Sequence, residues 1–271
     1  MTFNYDSDSS RSPALAEFVE LWRYRDFLQL LLTNSIKTRY KRSALGVLWT
    51  LLNPLLNTAV LTIALSQLMR FEVGNYPVYL LVGYLVWTFF TQTTTQAMNT
   101  LIWGSNLIKR IYIPRTAFAI SVTGNGLLNI VLSLIPIFIV MLIMSHPVSR
   151  AILLLPFVIL VFALFTLGLS LLLSAIAVFF VDMVDLYSVI LQAIFFLTPI
   201  IYPLSIVPER FLPFFYLNPL VLYLGLFREI LYEARVPSIE SLISATLVAA
   251  VTFVVGWWLF TKRADEFAYR I

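Results

Sequence analysis

The sequence predicts an all-α membrane protein with six transmembrane helices, an N-terminal amphipathic interfacial helix, and re-entrant outer helices between spans five and six. Three observations predict it. Of the 271 residues, 60% are hydrophobic and 12% charged, about half the charged share of a soluble globular domain. Mean hydropathy is +0.90, which leaves too little polar surface to cover a water-soluble core. Six stretches run without a charge, each near or beyond the roughly 20 residues that a helix needs to cross hydrocarbon.

In chain order, residues 1–43 read as a cytoplasmic tail followed by a surface helix. The first dozen, rich in Ser and Asp, predict a disordered tail. From Pro13, apolar Leu15, Phe18, Val19, Leu21, Trp22, Phe27, Leu28, Leu31 and Leu32 recur near helical spacing among Glu17, Glu20, Arg23, Arg25 and Asp26. That mixture suits a helix lying on the inner membrane face; the plainer alternative is an extension of the first span into water. Residues 44–261 form the transmembrane domain. Its charge-free stretches are Ala44 to Met69, Val73 to Ile108, Thr116 to Ser149, Ala151 to Val181, Leu186 to Pro208 and Ser241 to Thr261. Within 202–240, Pro203, Pro208, Pro213 and Pro219 interrupt apolar runs too short to cross. Two short helices that dip into the outer leaflet and return account for both facts, if their broken backbone is buried in protein; an apolar loop packed on the bundle is the alternative. Residues 262–271 read as a second cytoplasmic tail.

Lys and Arg set the orientation. The N-terminal segment, second loop, fourth loop and C-terminal tail hold seven, three, none and three, and the three loops on the opposite side hold one, one and three. This bias places both termini in the cytoplasm and the chain, multi-pass, in the cytoplasmic (inner) membrane. The N-terminal segment lacks a short apolar core behind a basic start and so does not read as a cleaved signal peptide. One histidine, His146, and no cysteine exclude disulfide frameworks, structural zinc and thiol nucleophiles, and no metal site is expected. The net charge of +4 is too small to argue for nucleic acid.

Four strings carry a resemblance. Arg39-Tyr40-Lys41-Arg42-Ser43 with Leu45-Gly46, Trp49 and Pro54 resembles the approach to the first span of type-2 ABC exporter permeases in the polysaccharide-export subfamily, the O-antigen, teichoic-acid and capsule exporters. Asn106 to Arg115 resembles their second loop. Phe195 to Pro203, and Asn218-Pro219-Leu220 followed by Phe227-Arg228, resemble their fifth span and outer re-entrant region. The matches run in order from about Leu21 to the C-terminus. The resemblance implies a second copy of the chain, two ATP-binding cassette subunits, a lipid-linked polysaccharide as substrate, and ATP and Mg bound by the partner subunit, with no cofactor in this chain.

The residues bear on the chemistry independently. No phosphate-cradling G-x-x-x-x-G-K-[ST] loop is present, so energy comes from a partner or an ion gradient. The span interiors hold no Asp, Glu, Lys, Arg or His, which argues against an ion-coupled carrier and against the acid/base pair of a membrane-embedded glycan-modifying enzyme. Asp182 and Asp185 stand one turn apart at the inner boundary, where capping or solvation suffices. In the second loop, Lys109, Arg110 and Arg115 alternate with Leu107, Ile108, Ile111, Tyr112 and Ile113, and Pro114 ends the run. One apolar and one basic face suit docking into a partner groove; a loop obeying only the positive-inside rule has the same cations.

Amides recur at one-face spacing at Asn53 and Asn57, at Gln92, Gln96 and Asn99, and at Asn125 and Asn129 with Ser133. With Tyr84, Trp87, Phe89, Phe90, Phe195 and Phe196 they offer a passage for sugar hydroxyls and ring faces; interhelical hydrogen bonds and interfacial belts are the alternative. Glu209, Arg210, Arg228 and Glu229 in the outer region suit either a gate paired across two copies, contact with a substrate phosphate, or plain exposure. An exporter of a drug or lipid shares this topology and differs in cargo.

Overall fold

A computed structural model describes residues 13–40, 48–69, 74–103 and 114–270, and all regular structure among these is helical. The helices are α1 (Pro13–Arg23), α2 (Arg25–Tyr40), α3 (Leu48–Met69), α4 (Tyr76–Trp103), α5 (Thr116–Ile143), α6 (Leu155–Phe179), α7 (Met183–Leu197), α8 (Leu212–Tyr216), α9 (Pro219–Leu231) and α10 (Ile239–Arg270). Among the described residues three stretches, Thr116–Ile143, Arg150–Phe179 and Ile239–Ala264, are long and apolar enough to cross a bilayer. Leu52–Ala64 within α3 and Met183–Leu197 are shorter apolar helices. The 28 residues of α4 are long enough but carry the polar run Thr91 to Gln96.

Three boundaries differ from the sequence reading. The helix expected from Pro13 to Leu32 divides at Tyr24 into α1 and α2. The stretch Leu186 to Pro208 is helical only to Leu197. Pro199 disfavours helical geometry at the residue before it, and Thr198 is extended at φ −111°, ψ 122° while its hydroxyl donates to the Ile194 carbonyl at 2.8 Å. Residues 262–270 are helical as well, continuous with α10, which runs unbroken to Arg270.

The outer region is broken as its prolines require. Turns at Leu204–Ile206 and Glu209–Phe211 lead into α8, and the segments Glu209–Tyr216 and Pro219–Leu231 meet at 95°. Asn218 begins α9 with its side chain accepting from Leu220 N–H at 3.0 Å, and Pro219 fills the first helical position, where no amide donor is needed.

The core forms where α4, α6 and α9 converge. Phe162 is fully buried, with ring centroids of Phe89, Tyr223 and Phe227 at 5.2, 5.0 and 5.8 Å. Such tilted and edge-on contacts each add to the area they bury. Along α10, Ala245, Ala249, Gly256, Phe260 and Phe267 line the buried stripe, and the Tyr223 hydroxyl donates to the Ala245 carbonyl at 2.9 Å.

The closest helix crossing is between α6 and α10. A Cβ on Gly168 would stand 2.5 Å from the Phe253 Cα, and one on Gly256 would overlap the Gly168 carbonyl. Small residues allow backbones to approach where lipid supplies no hydrophobic drive between helices. Gly168→Val is therefore expected to destabilise the folded chain by about 2 kcal/mol or more through overpacking. The thermal midpoint of the detergent-purified protein checks this, with Gly225→Ala, where a Cβ meets open space, as the comparison in accessible volume.

Candidate functional site

The amides predicted on three separate helices meet. Helices α3, α4 and α5 enclose a cavity of about 230 Å³ lined by Trp49, Asn53, Tyr84, Phe89, Gln92, Gln96, Asn129 and Ser133, among others. Helical spacing explains the gathering: Asn53 faces inward beside Pro54, Gln92 and Gln96 are one turn apart on α4, and Asn129 and Ser133 one turn apart on α5. Gly126 permits it, since a Cβ there would lie 2.5 Å from the Thr93 hydroxyl and 2.9 Å from the Phe89 ring, forcing α4 and α5 apart. A trough lined by Thr91, Gln92, Thr95, Gln96 and Asn99 continues along α4.

The amides are spread along one half of α4. Counted from the middle of α4 at 1.5 Å per residue, Gln92, Gln96 and Asn99 lie about 4, 10 and 14 Å along its axis. Gln92 and Gln96 are exposed on the single chain. Hydrocarbon leaves an amide's hydrogen bonds unmade, so this face of α4 suits water, polar groups or protein against it.

Other candidates lie elsewhere. Phe90 is buried at 3% exposure in the core, stacked on Phe165 with centroids 6.1 Å apart. Trp87 and Phe195 pack edge to face at 5.3 Å, Phe195 meets Phe196 at 5.5 Å, and Phe196 is 66% exposed. Asn125 is outside the groove lining, its Oδ1 buried without a partner among the described residues. Asn57 donates to Asn53 Oδ1 at 2.5 Å and Asn53 O at 2.9 Å, one turn bracing the next. Trp49 is half exposed at the groove's edge. Lys41, Arg42 and Leu107 through Ile113 lie outside the described residues, as do the side chains of Arg39 and Tyr40. Pro114 is buried, and Arg115 places its guanidinium carbon 5.9 Å from the Phe267 ring centroid.

The outer charges separate into two kinds. Glu209 and Arg210 are exposed, Arg210 over the ring of Phe211 at 4.7 Å. Arg228 is buried at 8% exposure: Nη2 donates to the Ile200 carbonyl at 2.9 Å and the guanidinium carbon stands 3.6 Å from the Tyr79 ring centroid. Glu229 accepts from Arg235 at 2.7 Å. Arg228 thus does not stand free in solvent. Around it, the Tyr76 hydroxyl donates to the Ile201 carbonyl at 2.7 Å and the Tyr79 hydroxyl to Tyr202 at 2.8 Å.

His146, an unassigned turn residue in the sequence, joins the same end. Its Nε2–H donates to the Tyr232 carbonyl at 2.7 Å, and its Nδ1 accepts from Asn75 Nδ2 at 2.9 Å, which selects the tautomer. Arg228→Gln is expected to lower stability by about 2 kcal/mol, combining a buried carbonyl left without its donor and a lost cation–π contact. Arg210→Gln, at an exposed position, is expected to change it by less than about 0.5 kcal/mol. Thermal midpoints of the two variants measure the contrast.

Comparison with known proteins agrees with this architecture. The family model described as ABC-2 type transporter matches residues 27–232. The chain is 32% identical over 254 residues to the O-antigen export system permease protein RfbA of Myxococcus xanthus, covering 93% of this chain and 98% of the relative. It is 28% identical over 246 residues to the protein of the same name from Klebsiella pneumoniae, covering 90% and 94%. It is 22% identical over 245 residues to the polysialic acid transport protein KpsM of Escherichia coli, covering 88% and 93%. With long apolar helices, a match over most of its length and a relative aligned nearly end to end, the chain belongs to the ABC-2 type transporter family.

Proposed function

We propose that this chain is the transmembrane subunit of an ATP-driven exporter that moves a lipid-linked polysaccharide outward across the cytoplasmic membrane. The observation that carries the reading is the groove between α3, α4 and α5, where Asn53, Gln92, Gln96, Asn129 and Ser133 converge beside Trp49, Tyr84 and Phe89. A chain of sugars presents hydroxyls that exchange water for protein donors and acceptors as they pass, and aromatic faces suit the apolar side of a sugar ring. A drug passage would be mostly apolar with few polar groups. The relatives named for O-antigen export and polysialic acid transport support the same cargo class.

In this reading the chain crosses six times. The crossings are α3, α4, α5, α6 with its preceding turn, α7 with the irregular residues after it, and α10. Both termini are cytoplasmic, α1 and α2 lie at the inner face, and α8 and α9 dip into the outer leaflet and return. Two copies pair, and two ATP-binding subunits, which hold ATP and Mg, engage residues 106–115. The permease itself is not an enzyme. Closure of the ATP-binding pair moves that basic stretch and the N-terminal helices, and the copies part along the polar face of α4.

Gln96→Leu combined with Asn129→Leu tests the passage. The expected outcome is normal recovery of the assembled complex with surface glycan reduced about tenfold, the scale of two lost polar contacts of roughly 0.7 kcal/mol each, and lipid-linked glycan retained inside. A fall in surface glycan only in proportion to assembled protein assigns the amides to packing instead. For topology, single cysteines in a chain that has none are expected to react with an impermeant reagent between Pro208 and Pro213 and to stay unlabelled at position 110. Labelling of position 110 in intact cells reverses the orientation.

A further inference from the structure

The first turn of α5 begins without a local cap. Arg115, the residue before it, makes no side-chain capping bond, and Thr116 is fully buried. A helix start leaves its first amides without partners inside the helix, and buried donors require them elsewhere. The Ala117 and Phe118 N–H groups donate locally, to the Pro114 and Arg115 carbonyls at 3.0 and 3.3 Å, whereas the partner of Thr116 comes from 99 residues away. Glu17 Oε1 of α1 accepts the Thr116 N–H at 3.2 Å and the Thr116 hydroxyl at 2.9 Å. A carboxylate is suited to this end of a helix, where the aligned peptide dipoles present partial positive charge.

The N-terminal arm follows α5 beyond this point. Leu21 packs with Ala117, Phe27, Leu28 and Trp257, and a Cβ on Gly124 would lie 2.8 Å from Leu32 Cδ2. Phe18 meets Trp257 of α10 edge to face at 6.4 Å. These apolar contacts hold the arm against the bundle without direction, so alone they permit it to slide. Two hydrogen bonds to one carboxylate oxygen fix its register, because charge-assisted bonds are short and directional.

We infer that Glu17 is a positioning residue: through Thr116 it locks the N-terminal helix to the first turn of α5, directly after Pro114 and Arg115, so that the arm and the start of α5 hold one register. Its effect on hydrolysis rests on the reading that residues 106–115 meet an ATP-binding subunit. Glu17 touches neither cargo nor nucleotide; its effect passes through the first turn of α5.

The test uses the full-length permease purified with its ATP-binding subunit in lipid nanodiscs, comparing wild type, Glu17→Leu and Glu17→Gln. Two readouts are taken: hydrogen exchange at the 116–119 amides, and ATP hydrolysis per recovered complex. Leu removes the acceptor, whereas Gln keeps an acceptor oxygen at the same reach. Glu17→Leu is expected to speed exchange in that turn and lower hydrolysis about fivefold, the equilibrium scale of a lost helix cap, while Glu17→Gln stays within about twofold of wild type. Thr116→Val, which removes the hydroxyl alone, gives an intermediate effect and serves if Glu17→Leu fails to fold. Unchanged exchange in Glu17→Leu, equal losses in Leu and Gln, or hydrolysis that falls only with complex yield each overturn the inference. If no ATP-binding subunit is recovered with the wild type, the exporter reading fails, and exchange in the permease alone then decides the role of Glu17.

Discussion

Three consecutive carbonyls, those of Ile200, Ile201 and Tyr202, leave helical geometry beyond α7, and the outer half of the protein is arranged around giving them donors. Arg228, Tyr76 and Tyr79 supply one each. Away from bulk water an unpaired carbonyl costs about as much as a lost hydrogen bond, so irregular backbone here requires this set. One consequence is that a guanidinium is buried, with the Tyr79 ring against its face. Another is that α4 and α9 are held to the same three residues. The Tyr232 hydroxyl donates to the Gly74 carbonyl at 2.5 Å, and His146 closes the circuit between Asn75 and Tyr232.

This arrangement separates the roles of polar groups. At the outer end they are paired within the chain and give rigidity. Along α4 and its neighbours, Gln92 and Gln96 stay exposed on the single chain, facing whatever occupies the groove. At the start of α5 Glu17 and Thr116 pair across elements distant in sequence. The aromatic core of Phe162, Phe165 and Tyr223 joins α6 to α9 beneath the Arg228 network.

Composition and periodicity made much of this legible. Stretches without charge marked α4, α5, α6 and α10, because length and apolarity are local properties. The amides of the groove were legible because i, i+4 spacing puts them on one face of each helix. Which aromatics join them was not: Trp87, Phe89 and Phe90 are consecutive enough to cover most of a helix turn, and only packing against Phe165 directs Phe90 to the core. Arg228 could be read as a gate charge, a phosphate contact or an exposed residue, since nothing near it in sequence announces the Ile200 carbonyl. Glu17 was one acid among several on an amphipathic helix, and Thr116 lies far along the chain. The early end of α7 was signalled by Pro199, but the absence of charge through Pro208 outweighed it.

The contact between Gly168 and Gly256 has a mechanical meaning beyond packing. Gly256 lies midway between Ala245, whose carbonyl receives the Tyr223 hydroxyl of α9, and Phe267, whose ring faces the Arg115 guanidinium. The eleven residues on either side make two arms of about 16 Å each. The crossing therefore sits at the centre of a rod that touches α9 towards one end and the residue before α5 towards the other. A tilt of 10° about that point would carry the two contacts about 3 Å in opposite directions, so two contacts about 33 Å apart are geometrically linked through one helix.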